Sequence, residues 1–392
     1  MDKGTLACLL QKLVSIPSVN PALLNDPNLT GEERLADFLM QWGKANALEC
    51  ERFEAQKGRP CVLLSTGLKA SSSPTLLCSA HMDTVWTPAM EEPFKLKAKG
   101  NRLHGLGAVD NKGSLTAALA ALLELKDKEL SCRFQVLCTC DEEWGLAGIK
   151  TMIPEHARPD AAIVMEGTEL KLVAAHKGSC RFTITVRGKS VHSSLVSQGD
   201  NAIYKAARLI SALEHYAQKL LLSKKHPLLG TSTLSVVTIH GGKQPSAIPD
   251  ECSFIINWRT LPSETLASVT SQLRRVLDAT KIKYEVASRS FDASHFEMDP
   301  DHPWLRTFQE VLIALKLDPE PYGVPYAAEA AITHHAGIPT VMFGPGAITT
   351  AHSADEAISL EAIITAAQVL VAAAVKFGAG SCHCERVGGI PI

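Results

Sequence analysis

Imidazole and carboxylate side chains recur directly after short apolar segments of this sequence. His81 and Asp83 follow the segment TLLCSA, and a pair of glutamates follows FQVLCTC. A further acidic residue lies in the glycine-rich stretch GLGAVDNKG. The whole set comprises His81, Asp83, Asp110, Glu142, Glu143, Glu166 and His352. Imidazole nitrogen and carboxylate oxygen are ligands for zinc and similar divalent ions, so these residue types predict a metal site.

The chemistry of such a site depends on which carboxylates bind metal and which transfer protons. One carboxylate can bridge two ions that lie about 3.5–4 Å apart. Two consecutive acids, such as Glu142 and Glu143, allow one to bind metal while the other transfers a proton. Taken singly, each signal is weak, because HxD is common and a lone DEE is usually a solvated turn. The prediction therefore rests on the set as a whole.

Alternating strand-length and helix-length segments surround these residues. We predict strands at 61–66, 75–80, 134–138 and 161–165, helices at 114–125 and 146–153, and a turn at 70–74. The strands are apolar on both faces, as expected of a sheet covered by helices on both sides in an α/β fold. Ligands bind at the carboxyl edge of such a sheet, so residues distant in sequence can converge there.

The middle of the chain has a different pattern. Predicted strands at 179–187, 233–240, 252–258 and 282–288 and helices at 201–221 and 264–279 give the order βαββαβ, an α+β module. Helices at 303–316 and 359–376 then flank a strand at 339–343. We therefore expect a catalytic domain in two parts, 1–177 and 290–380, with the module 178–289 inserted between them and a tail at 381–392.

Bulk composition narrows the function classes. The 392 residues favour two domains, and 46% apolar with 20% charged residues is ordinary globular composition. A net charge of -2 without a run of Lys or Arg disfavours nucleic acid and anionic membranes as partners. The N-terminus lacks a signal-peptide pattern, and no later segment reaches spanning length without charge. Eleven scattered cysteines form no disulfide framework, which favours a reducing cytoplasm.

Several motifs together give a resemblance to a known family. The sequence resembles the M20-type metallopeptidases, and within them the acetylornithine deacetylase branch, from SIPSVN at 15–20 to AHSADE at 351–356. The motifs that carry the resemblance are HMDTV, GLGAVDNKG, TCDEEWGLAG, MEGTELKLVAAHKG, GKSVHSS and FGPGAITTAHSADE. The chain departs from many members at Leu106, Asn111, Ser246 and 326–330. These departures leave the metal ligands in place and leave the substrate open.

The resemblance implies a two-metal site in a mixed-sheet, zinc-peptidase-like catalytic domain. His81 and Glu166 would bind one zinc ion, Glu143 and His352 the other, and Asp110 would bridge them. We also expect that cobalt can replace zinc at this site. Two further roles are implied by the same motifs. Asp83 would orient His81, which fixes the tautomer of its ring, and Glu142 would be the general base.

The resemblance also assigns the inserted module to dimerisation and to a lid. His192 would reach into the active site of the partner subunit of a homodimer. Arg259, in NWRTLP, would bind the carboxylate of the substrate. For other polar residues and cysteines we favour a structural interpretation over a functional one. We interpret Lys177 as solvated, Cys138 and Cys140 as core thiols, and Cys382-His383-Cys384 as too small a ligand set on a loose tail.

The leading hypothesis is a metal-dependent hydrolase that removes the acetyl group from a small N-acetyl amino acid, as in acetylornithine. The alternatives in the same family are a succinyl-diaminopimelate desuccinylase, a dipeptidase, a carboxypeptidase or another N-acyl amino acid hydrolase. A non-catalytic binding protein on the same scaffold is an alternative of another class. A serine hydrolase is disfavoured because the sequence has no G-x-S-x-G motif.

Overall fold

A computed structural model describes residues 2–67, 73–223, 225–287 and 292–379 of the chain. The chain divides into two compact units. Unit 1 comprises Met1–Ala174, Met298–Tyr322 and Ala328–Ile392, and unit 2 comprises Ala175–Glu297 and Gly323–Ala327. Most of the predicted turn at 70–74 and the whole tail at 381–392, with Cys382, His383 and Cys384, lie outside the described residues.

The helices and strands are numbered in chain order. The helices are α1 Lys3–Ser15, α2 Glu33–Ala45, α3 Lys112–Leu125, α4 Ala147–Glu155, α5 Ala202–Leu221, α6 Leu266–Asp278, α7 Pro303–Ala314, α8 Ala330–His335 and α9 Leu360–Ala379. The strands are β1 Glu49–Gln56, β2 Arg59–Gly67, β3 Thr75–His81, β4 Lys97–Lys99, β5 Arg102–His104, β6 Arg133–Thr139, β7 Ala161–Val164, β8 Leu172–His176, β9 Gly178–Arg187, β10 Thr233–Gly241, β11 Glu251–Thr260, β12 Glu285–Ala287, β13 Asp292–Ala293, β14 Phe296–Glu297, β15 Pro321–Val324, β16 Thr340–Met342 and β17 Ala357–Ser359.

Unit 1 is built on a mixed sheet with the order β1-β2-β6-β3-β7-β16-β8. Strand β3 pairs in parallel with β6 and β7, and β16 pairs in parallel with β7. The β1–β2 and β2–β6 pairs are antiparallel. After their first residue, β3 and β6 are buried on both faces, which requires helices on both sides of the sheet. The predicted α/β fold with a mixed sheet is therefore confirmed.

Helix α9 is the long apolar helix of unit 1. It packs against α1, α3 and α7 and buries Ile363, Val369, Leu370 and Phe377. It is long and apolar enough to span a membrane by length and composition alone. A helix that packs in the core of a globular unit passes the same test. Two charged residues, Glu361 and Lys376, lie near the ends of α9. The helix therefore agrees with the expectation that no uncharged segment is long enough to span a membrane.

Unit 2 has its own sheet and core. The order along the chain is β9-α5-β10-β11-α6-β12, and the sheet order is β10-β11-β9-β12 with β13 also paired to β9. Asn201 begins α5 by accepting hydrogen bonds from the backbone of Ile203 and Tyr204. Helix α6 buries Val269, Leu273 and Leu277, spaced by four residues, so one helix face packs into the core of unit 2.

Candidate metal centre

The parallel strands of unit 1 end together at one edge of the sheet. His81, the last residue of β3, pairs with Thr139, the last residue of β6. Ser79 of β3 pairs with Val164, the last residue of β7. The turn with Glu142 and Glu143 follows β6, and Glu166 follows β7. The ligand candidates therefore lie at this edge because the strands that precede them are in register.

The first ligand group consists of His81, Asp110 and Glu166, all buried. His81 Nε2 lies 2.8 Å from Asp110 Oδ1 and 3.9 Å from Glu166 Oε1. His81 Nδ1 lies 2.9 Å from the backbone oxygen of Asp83. Because that carbonyl can only accept, Nδ1 carries a proton, and Nε2 is the ring nitrogen that faces Asp110 and Glu166.

The second ligand group consists of Asp110, Glu143 and His352. His352 Nε2 lies 3.1 Å from Asp110 Oδ2 and 3.2 Å from Glu143 Oε1. Asp110 belongs to both groups and presents a different oxygen to each imidazole. In each group the ligand atoms lie within 4.8 Å of one another. A shared carboxylate between two such groups has the chemistry of a dinuclear centre.

The carboxylate of Asp83 contacts the turn after β6. Its carboxylate oxygens accept hydrogen bonds from the backbone N–H groups of Glu142, at 3.0 Å, and Glu143, at 3.1 Å. Asn20 Nδ2 donates to the same carboxylate at 2.8 Å. The orienting hydrogen bond to the ring of His81 comes from the carbonyl oxygen of Asp83, whose carboxylate lies 3.7 Å from Nδ1. Asp83 thus ties the turn after β6 to the end of β3.

The electrostatics of the cluster favour a bound cation. Burial, with neighbouring carboxylates, raises the pKa of Glu142 and of Glu166 well above the ordinary value, and that of Glu143 to about 7. Burial also acts against the charge of Asp110, but hydrogen bonds from His352 and His81 lower its pKa below the ordinary range. Hydrogen bonds to Asp110 and Glu143 raise the pKa of His352 to about 11. Several acids thus share one buried space in which ionised carboxylates are costly without positive charge.

The donor set fits a pair of divalent ions of the zinc type. Each group offers one imidazole nitrogen and carboxylate oxygens, which are zinc ligands. A zinc-type ion would also offset the carboxylate charge that burial makes costly. Among the described residues, neither group contains a cysteine.

A buried ion-pair network supports the turn with Glu142 and Glu143. Arg59 Nε donates to Glu32 Oε2 at 2.7 Å, and Arg59 Nη1 lies 3.2 Å from Asp141 Oδ1. The backbone N–H of Asp141 donates to Glu32 Oε1 at 3.2 Å. Asp141 has a positive φ of 64°, so this network holds a left-handed residue at the start of the turn.

Arg259 and His192 belong to unit 2. Arg259 lies on β11 opposite Ser179, and burial and the nearby Arg181 lower its pKa. No carboxylate pairs with Arg259 among the residues that the structure describes. His192 lies in an exposed loop, where its Nδ1 is 2.8 Å from Ser194 Oγ. Its exposure agrees with the expected loop position, and its role stays a prediction.

Lys177 was expected to be solvated, and this expectation is wrong. The residue is 6% exposed, and its ammonium group donates a hydrogen bond to the backbone oxygen of Thr231 within unit 2. Burial lowers its pKa. Its position between β8 and β9 is typical of an exposed turn residue. In the structure, however, the carbonyl oxygen of Thr231 accepts a hydrogen bond from its ammonium group.

The family profile of peptidase family M20/M25/M40 matches residues 77–376. The chain belongs to this family. The M20 chain is 33% identical to the acetylornithine deacetylase of Myxococcus xanthus over 76% of its length and 77% of that protein. It is 29% identical to the acetylornithine deacetylase of Vibrio parahaemolyticus, over 96% of this chain and 100% of that protein.

Solved structures of low sequence identity have the same fold as this M20 chain. A tripeptidase from Staphylococcus aureus matches with a TM-score of 0.79 at 21% identity, covering 97% of this chain and 99% of that one. A dinuclear metal-binding peptidase of the M20 family from Bacillus subtilis matches with a TM-score of 0.69 at 17% identity, covering 95% and 97%. Membership of the family makes the chain a hydrolase with a candidate metal site at the edge of its sheet.

Buried polar residues around the M20 site escaped the sequence analysis. Asn20 holds Asp83, and Glu356 accepts three backbone hydrogen bonds from the loop of Asp110. Glu329 is 1% exposed, and burial raises its pKa to about 7. Asn20 and Glu356 are the last residues of the motifs SIPSVN and AHSADE. The motifs include both residues, but the sequence did not indicate a role for either. Glu329 lies in 326–330, where the sequence departs from many members of the family.

Proposed function

We propose that this M20 hydrolase cleaves the amide bond of a small N-acyl amino acid, with N-acetylornithine as the first candidate substrate. The observation that carries the proposal is the pair of ligand groups that share Asp110 at the sheet edge. The relatives named acetylornithine deacetylase support the choice of the acyl amino acid class. The reaction adds water across the amide and releases a carboxylate and a free amine.

The proposed cofactor is zinc, two ions per subunit, with cobalt as a substitute. His81, Asp110 and Glu166 would hold one ion, and Asp110, Glu143 and His352 the other. When bound, such ions polarise the amide carbonyl and lower the pKa of water from about 15.7 toward about 7. Imidazole and carboxylate ligands suit this metal, and the shared Asp110 suits a pair.

Glu142 is the proposed general base. Its backbone N–H is held by Asp83, and Glu143, Glu166 and His81 are its electrostatic neighbours. In this role the carboxylate takes a proton from the attacking water as the new C–O bond forms. It then delivers that proton to the amide nitrogen as the C–N bond breaks. Proton delivery is needed because an amide anion is a poor leaving group, and it contributes about 10²–10⁴-fold to the rate.

Arg259 is the proposed anchor for the α-carboxylate of the substrate. Its guanidinium is partly buried, the charge of Arg181 acts on it, and it lacks a carboxylate partner among the described residues. A guanidinium binds a carboxylate through two parallel hydrogen bonds, which the ammonium group of lysine cannot reproduce.

The homodimer is proposed to form through unit 2. Strand β10 lies at the end of the sheet order of this unit, and its Val237 and Ile239 are 51% and 50% exposed. An edge strand with exposed apolar side chains is a template for pairing, and a second copy of the chain would cover it. His192 is proposed to act in the active site of that second copy, as a hydrogen-bond donor to the developing oxyanion.

We also propose that the protein works in the cytoplasm. The cysteines in the described part of the chain are free, including Cys61 and Cys140, whose sulfur atoms lie 3.7 Å apart. Thiols this close stay reduced in a reducing compartment. The substrate is then an intracellular metabolite, and neither nucleic acid nor a membrane is expected as a partner.

The deciding experiment is a substrate panel with zinc or cobalt added. The panel contains N-acetyl amino acids with N-acetylornithine among them, N-succinyl amino acids including N-succinyl-diaminopimelate, and dipeptides. We expect the highest kcat/KM for an N-acetyl amino acid. A preference for N-succinyl substrates or for dipeptides would replace the deacetylase by a desuccinylase or a peptidase. Tight binding without turnover of any of them would indicate a binding protein on this scaffold.

A further inference from the structure

Glu356 holds the loop that carries Asp110. The residue is 1% exposed and lies at the end of AHSADE, directly after the turn at 351–355 that contains His352. Its Oε1 accepts hydrogen bonds from the backbone N–H of Val109, at 2.8 Å, and of Asp110, at 3.1 Å. Its Oε2 accepts from the N–H of Gly107 at 3.0 Å. One side chain thus satisfies three backbone donors of a single buried loop.

The loop needs such a partner because of its conformation. Gly107 has a φ of 75°, and a Cβ atom there would lie 2.8 Å from Thr84 Cγ2. Residues in this loop are buried, so N–H groups without a hydrogen-bond partner would destabilise it. A carboxylate that accepts several converging N–H groups forms charge-assisted hydrogen bonds and sets the position of the backbone. Glu356 therefore fixes where the main chain of Asp110 lies.

The two imidazole ligands are anchored unequally. His81 ends strand β3, and its Nδ1 is held by the carbonyl of Asp83 at 2.9 Å. His352 lies in a turn with a positive φ of 58°, and its side chain is 51% exposed. Glu356 directly follows this turn. The second ligand group therefore depends on a segment that supplies one ligand, His352, and also fixes the loop of another, Asp110.

We infer that Glu356 is a positioning residue of the metal centre, which sets the affinity of the Asp110–Glu143–His352 group for its ion. It acts through the backbone of Asp110 and contacts neither metal nor substrate. This inference rests on the proposed two-metal site and adds a residue to which no role had been assigned. It follows that the first group, anchored on β3, is less sensitive to the loss of Glu356 than the second.

The test is a calorimetric zinc titration of the metal-free full chain, with the variants Glu356→Ala, Glu356→Gln and Asp355→Asn. His352→Ala identifies which binding event belongs to the second group. We expect Glu356→Ala to weaken that event by about 10–100-fold, as for other residues that orient metal ligands. Glu356→Gln should weaken it less, because its amide oxygen can still accept from Val109 and Asp110. Asp355→Asn removes an exposed acid from the same turn and should match the wild type.

Thermal melts of the metal-free proteins separate positioning from folding. If folded Glu356→Gln and Glu356→Ala keep the wild-type affinity of both events while the melting temperature falls, Glu356 serves the fold alone and the inference is wrong. Equal weakening of both events would also overturn it. Should Glu356→Ala not fold, Glu356→Gln decides alone. A wild-type chain that binds no zinc would instead overturn the proposed metal centre and this inference with it.

Discussion

His352 Nε2 lies 3.1 Å from Asp110 Oδ2, while the other oxygen of Asp110 faces His81. The two residues come from loops far apart in the sequence that meet at the carboxyl edge of the sheet in unit 1. A carboxylate between two imidazoles is an arrangement that two divalent ions can use. The predictions below follow from this relationship and from the residues around it.

Replacing His352 by alanine should remove one ion and leave the other. His352→Ala takes the imidazole from the group with Asp110 and Glu143 and leaves the group with His81 and Glu166 complete. Zinc per chain, measured by elemental analysis after dialysis, should fall from two to one, with a large loss of kcat. His215→Ala, which removes an exposed histidine of α5, is the control and should keep both ions. Retention of two tightly bound ions by His352→Ala would contradict the ligand assignment.

Replacing Glu142 by glutamine should lower kcat without loss of metal. The amide cannot accept the proton, and the loss expected for a general base is about 10²–10⁴-fold. KM and the zinc content should stay close to wild type, since Glu142 belongs to neither ligand group. Glu91→Gln, which changes an exposed acid of unit 1, is the matched control. A near-normal kcat for Glu142→Gln would remove this residue from the mechanism.

Replacing Arg259 by lysine should raise KM strongly for substrates with a free α-carboxylate. The effect comes from losing two parallel hydrogen bonds while keeping the charge. Arg274→Lys on the exposed face of α6 serves as the control and should be silent. For substrates whose carboxylate is converted to an amide, wild type and Arg259→Lys should have similar, low kcat/KM. Equal wild-type rates on acid and amide substrates would show that the carboxylate is not recognised.

Mixing two inactive variants tests whether His192 acts in the partner subunit. In a dimer of one His192→Ala and one Glu142→Ala subunit, one site receives a wild-type Glu142 from its own chain and a wild-type His192 from the other. Subunit exchange should therefore restore part of the activity. The mixed dimer is detected by mass spectrometry of differently tagged chains. Mixed dimers that form and remain inactive would rule out action in trans.

The buried network of Arg59 should matter for stability far more than a surface pair. Arg59→Leu leaves Glu32, with 0% exposure of its side chain, and Asp141 without their cation. Breaking a buried pair on one side typically costs about 3–5 kcal/mol in free energy of unfolding. Arg52→Leu removes a more exposed arginine that pairs with Glu33 and Asp37 and should cost about 0–1 kcal/mol. Urea unfolding measures both, and equal effects would refute the role of burial.

The fold could be predicted where apolar pattern and strand length agree. Strand β3 was expected at 75–80 and runs over Thr75–His81, and helix α6 was expected at 264–279 and runs over Leu266–Asp278. No elements were predicted before residue 61, where the structure has α1, α2 and β1. Strand β1, ECERFEAQ, is rich in charged residues and partly exposed, so its apolar signal is weak. Its strand conformation is stabilised by antiparallel pairing with β2, which the apolar pattern does not indicate.

The site could be predicted less completely than its ligands. Residue types and their positions after strands indicated His81 and Glu166, because parallel strands bring their carboxyl ends together. The hydrogen bonds of Asp83 to the turn after β6 could not be predicted, since they depend on the backbone geometry of that turn. The burial of Lys177 could not be predicted either, because the carbonyl group that accepts its hydrogen bond comes from a distant segment of the chain.

The most direct test of the two-metal hydrolase is zinc titration of the chelated enzyme while turnover of an N-acetyl amino acid is followed. The metal-free protein should be inactive. Activity should return with added zinc and reach its plateau at two ions per chain, because both ligand groups share Asp110. Full turnover of the amide by the metal-free protein would contradict the account.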